Sequence, residues 1–593
     1  MASLLSKTDF KIARSCITKL YYKKKRYPSG TESDPFMELL AEGGYMVGKL
    51  AQILYPGTTI ERLEGAAEQT RELLKQENIC IHEAAIEING NIIRIDILNK
   101  KGNLLELIEV KSKSWDSNEY NLDNKQTKRE LREYLEDVAY QYYVLKQAYP
   151  KYKIKPYLFL PDKAKRTKIE GLNGQFSIIQ LPETKSGFRG MEVSFSGDIN
   201  ALRKDDIMTL VPVEKIILEM QEEIQTESTR FLSTLDPVIK KEQEQISIHC
   251  RDCEYWIAEN ETPNGFAECW GANTDIEHHM LNLTQLGNIN KILKNGINEK
   301  IAKGFVSYKD LDPEAFIDKY NNRPYFQVTA KKEIILPELF DEIKFKYPIC
   351  FIDFEVSKMA LPYHKGMRPY ENVAFQWSCH TLNRNGKLTH TEWINTEESF
   401  PNFKFAESLM EQINNAGTVL IWSPYENTIL KDISEQMDIY GYDNPVLKKW
   451  LDEFVRHDKE DSHGYIDQAA IANKYYHHPM AKGKYGIKSI LPSVLQEAKS
   501  PTIKNWLKEL NLYGLNPDGS IKSPYDLLPV IEVDESTTVK DGTGAVRAYQ
   551  DMMFGRYKND PVLKAKLKDA LLQYCRLDTL AMVIILEYWR SKS

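Results

Sequence analysis

The chain has 593 residues, 42% hydrophobic and 27% charged, with a formal net charge of -7. Such a length holds about two to four domains with proper cores, and the balance excludes disordered and fibrous classes. It also lacks any apolar run of about 18 residues that would span a bilayer.

The N-terminal MASLLSKTDFK has no apolar signal-peptide core. Eight cysteines in so long a chain argue against a disulfide framework. A cytoplasmic protein without a membrane partner is expected. With an acidic total charge, any nucleic acid must be held by local patches.

Cys16 falls on a short helix, followed by Lys23, Lys24, Lys25 and Arg26, flanked by Tyr21, Tyr22 and Tyr27. Basic groups interleaved with aromatics suit a single-stranded backbone with bases to stack; an ordinary solvated surface has the same composition. FMELLAEGGYMVGKLAQILYPG has helical spacing, with Gly43, Gly44 and Gly48 permitting a close crossing over a sheet. Glu38 and Glu42 share one face of that helix. ICIHEAAIEING alternates as a strand, with Glu83 among apolar neighbours.

Residues 92–111, IIRIDILNKKGNLLELIEVK, read as two strands joined by a Lys-Lys-Gly-Asn turn. Glu109 and Lys111 are two apart and emerge on one face. With Asp96 alongside, two carboxylates and an ammonium can hold a divalent cation and orient water. A solvated hairpin uses the same residue types. The amphipathic helix NKQTKRELREYLEDVAYQYYVLKQAYP, carrying Gln141, and the strand YKIKPYLFLP follow.

Near position 250, Cys250 and Cys253 form a C-x-x-C pair and Cys269 follows. A fourth ligand must come from elsewhere. Zinc, completed by His249 or a distant Cys, is one possibility; an iron–sulfur cluster on four thiolates is the other. Cys80, Cys350, Cys379 and Cys575 lie in apolar runs and read as buried packing.

After a helical connector, KYPICFIDFEVSKMALP reads as a buried strand with Asp353 and Glu355 on one face, an expensive placement unless they meet a cation. Two antiparallel strands with a turn at Asn383 to Gly386 come next, then a helix, the strand TVLIWS and Glu426. Asp467 ends a later strand. In the C-terminal helix Tyr574 and Asp578 are four apart, on one face.

Asp96, twelve intervening residues, Glu109-Val110-Lys111 and a later helix Gln resemble the RecB branch of the PD-(D/E)XK nucleases. The order helix, strand, hairpin, helix, strand is that of the restriction-endonuclease-like α/β fold. The resemblance implies that Asp96 and Glu109 bind Mg²⁺ or Mn²⁺ and that Lys111 assists the attacking water. Gln141 matches the helix Gln of that branch. Many such nucleases carry a metal-binding His where this chain has Gly48, with Glu42 or Glu83 as possible compensation.

One Cys before the core and three after it is the layout of iron–sulfur PD-(D/E)XK nucleases, including the AddB-like and CRISPR-associated RecB-like exonucleases. That likeness implies an iron–sulfur cluster of the 4Fe-4S type on Cys16, Cys250, Cys253 and Cys269, zinc being the alternative.

In the second half, strands first and then alternating helix and strand is the order of an RNase H-like fold. Asp353, Glu355, Glu426 and Asp578 with Tyr574 resemble the DEDD exonucleases of the Tyr subtype. The resemblance implies two metal ions about 3.5–4 Å apart, held by the carboxylates, with Tyr574 positioning water. Glu426 stands where that family has an Asp and is preferred to Asp432; Asp467 would support the site. GKYGIKSILPSVL and DGTGAVRAYQDMM resemble a family of predicted RecB-type nucleases fused to a C-terminal domain of unknown function. Lys488, Asp541, Gly542 and Gly544 are candidates for phosphate contacts or plain structure.

The sequence thus predicts a PD-(D/E)XK domain over 1–275, a helical connector over 276–340 and a DEDD domain over 341–593. The expected function is metal-dependent hydrolysis of phosphodiester bonds, in DNA with single-stranded ends, in repair or in defence against foreign nucleic acid. Without a P-loop, unwinding would need a helicase or defence-system partner. A single-nuclease enzyme whose first domain only binds nucleic acid, and a non-enzymatic scaffold, are the alternatives.

Overall fold

The computed structural model describes residues 4–593 other than 31–34, 62–63, 182–190, 258–261, 272–273, 275, 277, 286–288, 290–295, 318–322, 459–463, 530–538 and 540. The protein is mixed α/β. It forms two compact units: Met1–Asp275 with Met359–Glu371, and Ile276–Lys358 with Asn372–Ser593. The sequence reading places its first domain boundary at residue 275. Two features differ from that reading. The expected connector, 276–340, clusters with the second unit, and Met359–Glu371 clusters with the first. Part of the connector lies outside the described residues; what is described of it is short helices, such as Gly296–Ala302, and a short strand, Ile334–Ile335, paired antiparallel with Tyr476–His477, so it is not purely helical.

The first unit is built on a seven-stranded mixed sheet. Its main strands are β1 (Asn78–Ile88), β2 (Asn91–Lys101), β3 (Leu104–Val110), β4 (Lys153–Pro161) and β5 (Met208–Pro212), adjacent in that order. The β1–β2, β2–β3 and β4–β5 pairs are antiparallel, and β3–β4 is parallel. Asn89 and Gly90, with φ of 48° and 79°, join β1 to β2. Two successive positive φ values match the right-handed twist of a hairpin, and Asn-Gly is the pair that adopts them at least cost. Lys100 and Lys101, expected in the next turn, belong to β2; Gly102 turns the chain.

Leu5–Ser6 adds a short parallel pairing to β2. Helix α1 (Lys7–Ser15) starts directly after it, because Ser6 and Asp9 form a reciprocal capping box. Helix α2 (Ile17–Lys24) follows, with Cys16 at its N-cap, then α3 (Pro35–Leu54). Helix α4 (Arg132–Ala148) covers the sheet. Phe10 of α1 stacks on Tyr140 of α4 with centroids 4.3 Å apart, and the Tyr140 hydroxyl donates to the Leu5 carbonyl at 2.7 Å. This buried aromatic pair, of a kind that contributes about 0.5–1.5 kcal/mol beyond area burial, fixes where Lys7 points. A short helix, α5 (Gly265–Trp270), carries Cys269.

The glycines of α3 do not mark a close crossing. A Cβ on Gly43 or Gly48 would meet nothing within 4 Å, and one on Gly44 only the Ser112 hydroxyl at 3.8 Å.

In the second unit a five-stranded sheet has the order β8–β7–β6–β9–β10, from β6 (Ile349–Ser357), β7 (Val373–Leu382), β8 (Leu388–Ile394), β9 (Thr418–Ile421) and β10 (Ile466–Asp467). The β6–β7 and β7–β8 pairs are antiparallel, whereas β6–β9 and β9–β10 are parallel. The central β6 is buried along nearly its whole length, as its unbroken apolar run requires. Its helices are α6 (Asn402–Ile413), α7 (Tyr425–Tyr440), α8 (Gln468–Tyr475), α9 (Ile487–Glu497), α10 (Gly542–Met553) and α11 (Pro561–Arg590). Helix α11 packs on β6 and β7 and is buried from Leu577 through Leu586. An all-round apolar helix is stable only when covered on every side.

Candidate metal centres

In the first unit the hairpin strands bring Asp96 and Glu109 together. The β2–β3 ladder ends at Ile97 opposite Ile108, and beyond it the Asp96 carboxylate accepts from the Val110 N–H at 2.8 Å. Along β1 the register passes from His82 opposite Ile97 to Ala84 opposite Ile95, which leaves Glu83 facing Asp96. Glu83 has φ of 56°, a sparsely populated conformation for a residue with a side chain. Its carboxylate lies 3.3 Å from Arg94.

Glu109 is fully buried and receives three donors. Lys7 Nζ is 2.7 Å and Lys111 Nζ 2.9 Å from Oε1, while Gln141 Nε2 donates to Oε2 at 2.7 Å. Lys111 also reaches Asp137 at 2.9 Å; Asp137 and Gln141 are one turn apart on α4. Burial opposes ionisation of Glu109, but Lys7 and Lys111 outweigh it and hold the carboxylate below its usual range. Burial and the adjacent Glu109 charge push Asp96 up. Both ammonium groups stay charged despite burial, because the carboxylates pull their pKa upward. Among the described residues, Gln141 Oε1 is buried without a hydrogen-bond partner.

All four sequence-named residues, Asp96, Glu109, Lys111 and Gln141, are therefore neighbours. Lys7 and Asp137 were missed. Lys7 lies 102 positions from Glu109, beyond the reach of any periodicity argument. As it stands, Glu109 is already satisfied by cations, so a divalent ion binds there only if Lys7 gives up its contact.

The basic run is divided. Lys23 and Lys24 pair with buried Asp9 at 3.0 and 2.7 Å, and Lys24 also donates to the Leu4 carbonyl. Lys25 and Arg26 are exposed. Half of the proposed nucleic-acid strip thus holds the α1 cap.

Cys16, Cys250, Cys253 and Cys269 are all half-buried and belong to the first unit. Cys16, Cys253 and Cys269 each lie within electrostatic range of Cys250. Among the described residues no three of these thiols lie within 4.8 Å of each other. The Tyr22 hydroxyl is 3.2 Å from Cys269 Sγ, and the Ser247 N–H donates to Cys250 Sγ at 3.5 Å. His249, the alternative ligand, is exposed. Cys80, expected as packing, is half-buried with its thiol toward the Tyr55 carbonyl.

The second unit gathers a different set. Asp353 and Glu355 project from one face of β6 toward α11, which supplies Asp578 and Tyr574; Glu426 stands in the first turn of α7. Glu355, Glu426 and Asp578 are each more than nine-tenths buried. Among the described residues none of the four carboxylates makes an ion pair, and Glu426 Oε2 has no hydrogen-bond partner. Burial first, then the charges of the other carboxylates, drives Asp353 and Glu355 far above their usual range. Glu426 is raised by burial, with Asp467 and Asp578 adding to it. Burial also raises Asp578, opposed by hydrogen bonds from Tyr525 and Tyr574 and by the charge of Lys488. The Lys488 ammonium lies 5.2 Å and 5.0 Å from the ring centroids of Tyr525 and Tyr574.

Asp432 accepts from Asn372, while Glu426 couples to the cluster. Asp467 caps α8 through the Ala470 N–H, and Asp541 caps α10 through the Gly544 N–H. Two neighbours went unread. Tyr525 donates to Asp578, and Cys575 Sγ lies 3.4 Å from Asp353 Oδ2. Cys575 carries a legible signal, since it is three residues before Asp578 on the same helical face.

Asp353, Glu355 and Cys575 offer ligand atoms all within 4.8 Å of one another, the one such trio among the described residues. Hard carboxylate oxygens drawn together with no ion pair among the described residues are the donor set that a divalent cation would satisfy. No described helix is long and apolar enough to cross a membrane.

Residues 350–486, which carry Asp353, Glu355 and Glu426, match the model of a domain of unknown function, DUF2779. No curated protein and no solved structure matches the chain.

Proposed function

We propose that the chain is a divalent-metal-dependent nuclease whose main cutting centre is a DEDD-type site in an RNase H-like second unit, with a PD-(D/E)XK-type site in the first. The observation that carries the reading is the convergence of four carboxylates, three of them buried and Asp353 half-buried, without an ion pair among the described residues. Bringing like charges together in a low-dielectric space is costly unless cations join them. The strand order of the second sheet, three antiparallel strands followed by two parallel ones, supports an RNase H-like assignment. In the first unit the Asp96, Glu109, Lys111 and Gln141 neighbourhood supports the PD-(D/E)XK one.

Mg²⁺ or Mn²⁺ held by Asp353, Glu355, Glu426 and Asp578 would neutralise phosphate charge and activate water. The protein's own groups do the positioning. Tyr525 and Tyr574 hold Asp578 through their hydroxyls, and Lys488 adds positive charge beside Glu355 and Asp578. DNA with single-stranded ends is the proposed substrate, in repair or defence against foreign nucleic acid, with any unwinding supplied by a partner.

For the cysteines, a tetrahedral zinc site with Zn–S near ~2.3 Å draws its sulfurs to about 4 Å. Zinc is the alternative for the same thiols, and four thiolates in one unit suit an iron–sulfur cluster. An absorbance spectrum with iron and zinc analysis of freshly purified protein tests this; a colourless, zinc-loaded sample rejects it.

End-labelled single- and double-stranded DNA and RNA, incubated with Mn²⁺, test the nuclease reading. Wild-type protein should degrade at least one of them and Asp353→Ala should not; a wild type that degrades nothing supports the scaffold alternative. A second reading, in which the first unit only binds nucleic acid, is favoured by Lys7 sitting on Glu109. It predicts that Lys111→Ala leaves all cleavage intact.

A further inference from the structure

We propose that Asp353, Glu355 and Cys575 form a mixed carboxylate–thiolate site that binds Zn²⁺, or Cd²⁺ as its spectroscopic probe, in preference to Mg²⁺ and Mn²⁺. The three ligand atoms lie within 4.8 Å of one another, close enough to meet at one ion. Cys575 is fully buried, and its Sγ is 3.4 Å from Asp353 Oδ2. A thiol serving only as packing has no need to face a carboxylate pocket. Two further helix-borne acids reinforce the pocket: Glu426 of α7, 4% exposed and with Oε2 unpartnered among the described residues, and Asp578, one turn along α11 from Cys575.

The chemistry sets the preference. Mg²⁺ and Mn²⁺ take oxygen donors and gain little from sulfur, whereas Zn²⁺ and Cd²⁺ accept thiolate readily, and Zn²⁺ also exceeds Mn²⁺ in the general affinity order. As the metal–sulfur bond forms, the thiol proton leaves to solvent, so the site trades one proton for the cation. A borderline or soft ion held this way would occupy Asp353 and Glu355 and so compete with the hard cations of the same pocket. The proposal concerns metal selection and does not rest on the nuclease reading, since binding is measured without substrate.

The test is Cd²⁺ titration of the full-length wild type, Cys575→Ser and Asp353→Asn, followed by the ultraviolet cadmium–thiolate band and by equilibrium dialysis. Cys16, Cys250, Cys253 and Cys269 are present in all three proteins, so their contribution cancels in the differences. Cys575→Ser should lose one thiolate's share of the band and one tightly bound Cd²⁺. Its Cd²⁺-to-Mn²⁺ affinity ratio should fall by more than the ~10–100-fold typical of losing an outer partner of a ligand. Asp353→Asn, which keeps the thiol, should lose the same increment. An unaltered band and stoichiometry in Asp353→Asn or in folded Cys575→Ser overturns the proposal. Should Cys575→Ser fail to fold, Asp353→Asn decides alone.

Discussion

In the first unit Asp96 and Glu109 share their pocket with two ammonium groups, Lys7 and Lys111, both bonded to Glu109. In the second, no ion pair holds Asp353, Glu355, Glu426 or Asp578 among the described residues, and Lys488, lying over tyrosine rings, adds positive charge near Glu355 and Asp578. The difference teaches which pocket is complete without a cation. The first has its charges balanced by the chain itself, at the cost of ordering two long side chains. The second gathers acids whose like charges raise one another's pKa, so in the absence of a cation they favour protonation.

The comparison breaks most sharply at the level of chemistry. Asp353→Ala should lower Mn²⁺-dependent cleavage on the order of 10³-fold, because several kcal/mol of charge stabilisation is lost, while Lys111→Ala should cost far less. A larger loss in Lys111→Ala, measured on the same labelled strands, would reverse the ranking of the two sites.

Thermal unfolding sharpens it next. The second-unit acids have pKa values raised above those of the unfolded chain, so the metal-free folded state binds more protons than the unfolded one. Their contribution to stability is therefore present at low pH and is lost as pH climbs past the ordinary carboxylate range near ~4. Saturating Mn²⁺ should offset this, raising the unfolding midpoint by about 5–10 °C at pH 8 and by much less at pH 5. Equal shifts at both pH values would mean that these carboxylates do not hold the ion.

A third test targets the first pocket. Lys7→Met removes one of the two ammonium groups on Glu109 and should destabilise the metal-free protein by about 1–3 kcal/mol. The variant should then recover stability with Mn²⁺, which the wild-type first site should not require. Recovery that vanishes on adding Asp353→Ala would assign the ion to the second pocket instead. Smallest of all, Gly48→Ala should stabilise by about 0.5–1 kcal/mol, because the helix loses a flexible residue and the added Cβ meets nothing within 4 Å. A loss in chemical denaturation would show that Gly48 serves some close approach.

Much of both pockets was legible because it lies within single elements. Residues two apart on a strand face the same way, which pairs Glu109 with Lys111 and Asp353 with Glu355. Residues three or four apart on a helix do likewise, which joins Tyr574 and Cys575 to Asp578. Cys575 is buried as its apolar run suggests, but such a run does not say against what, and here the thiol faces Asp353. Gly43 and Gly48 were misread as contact points, since small size permits an approach without requiring one.

The sequence by itself determined the local pieces: the Asn89-Gly90 turn, the capping box at Ser6, the unbroken apolar run of β6, and the carboxylate spacings within each strand and helix. Only the tertiary structure decided which pieces meet. Lys7 reaches Glu109 because Phe10 and Tyr140 dock α1 on α4, and Tyr525 reaches Asp578 across 53 residues. Such contacts leave no periodic trace, for they depend on packing between elements, and packing is settled by the burial of whole faces rather than by any one residue's neighbours in the chain.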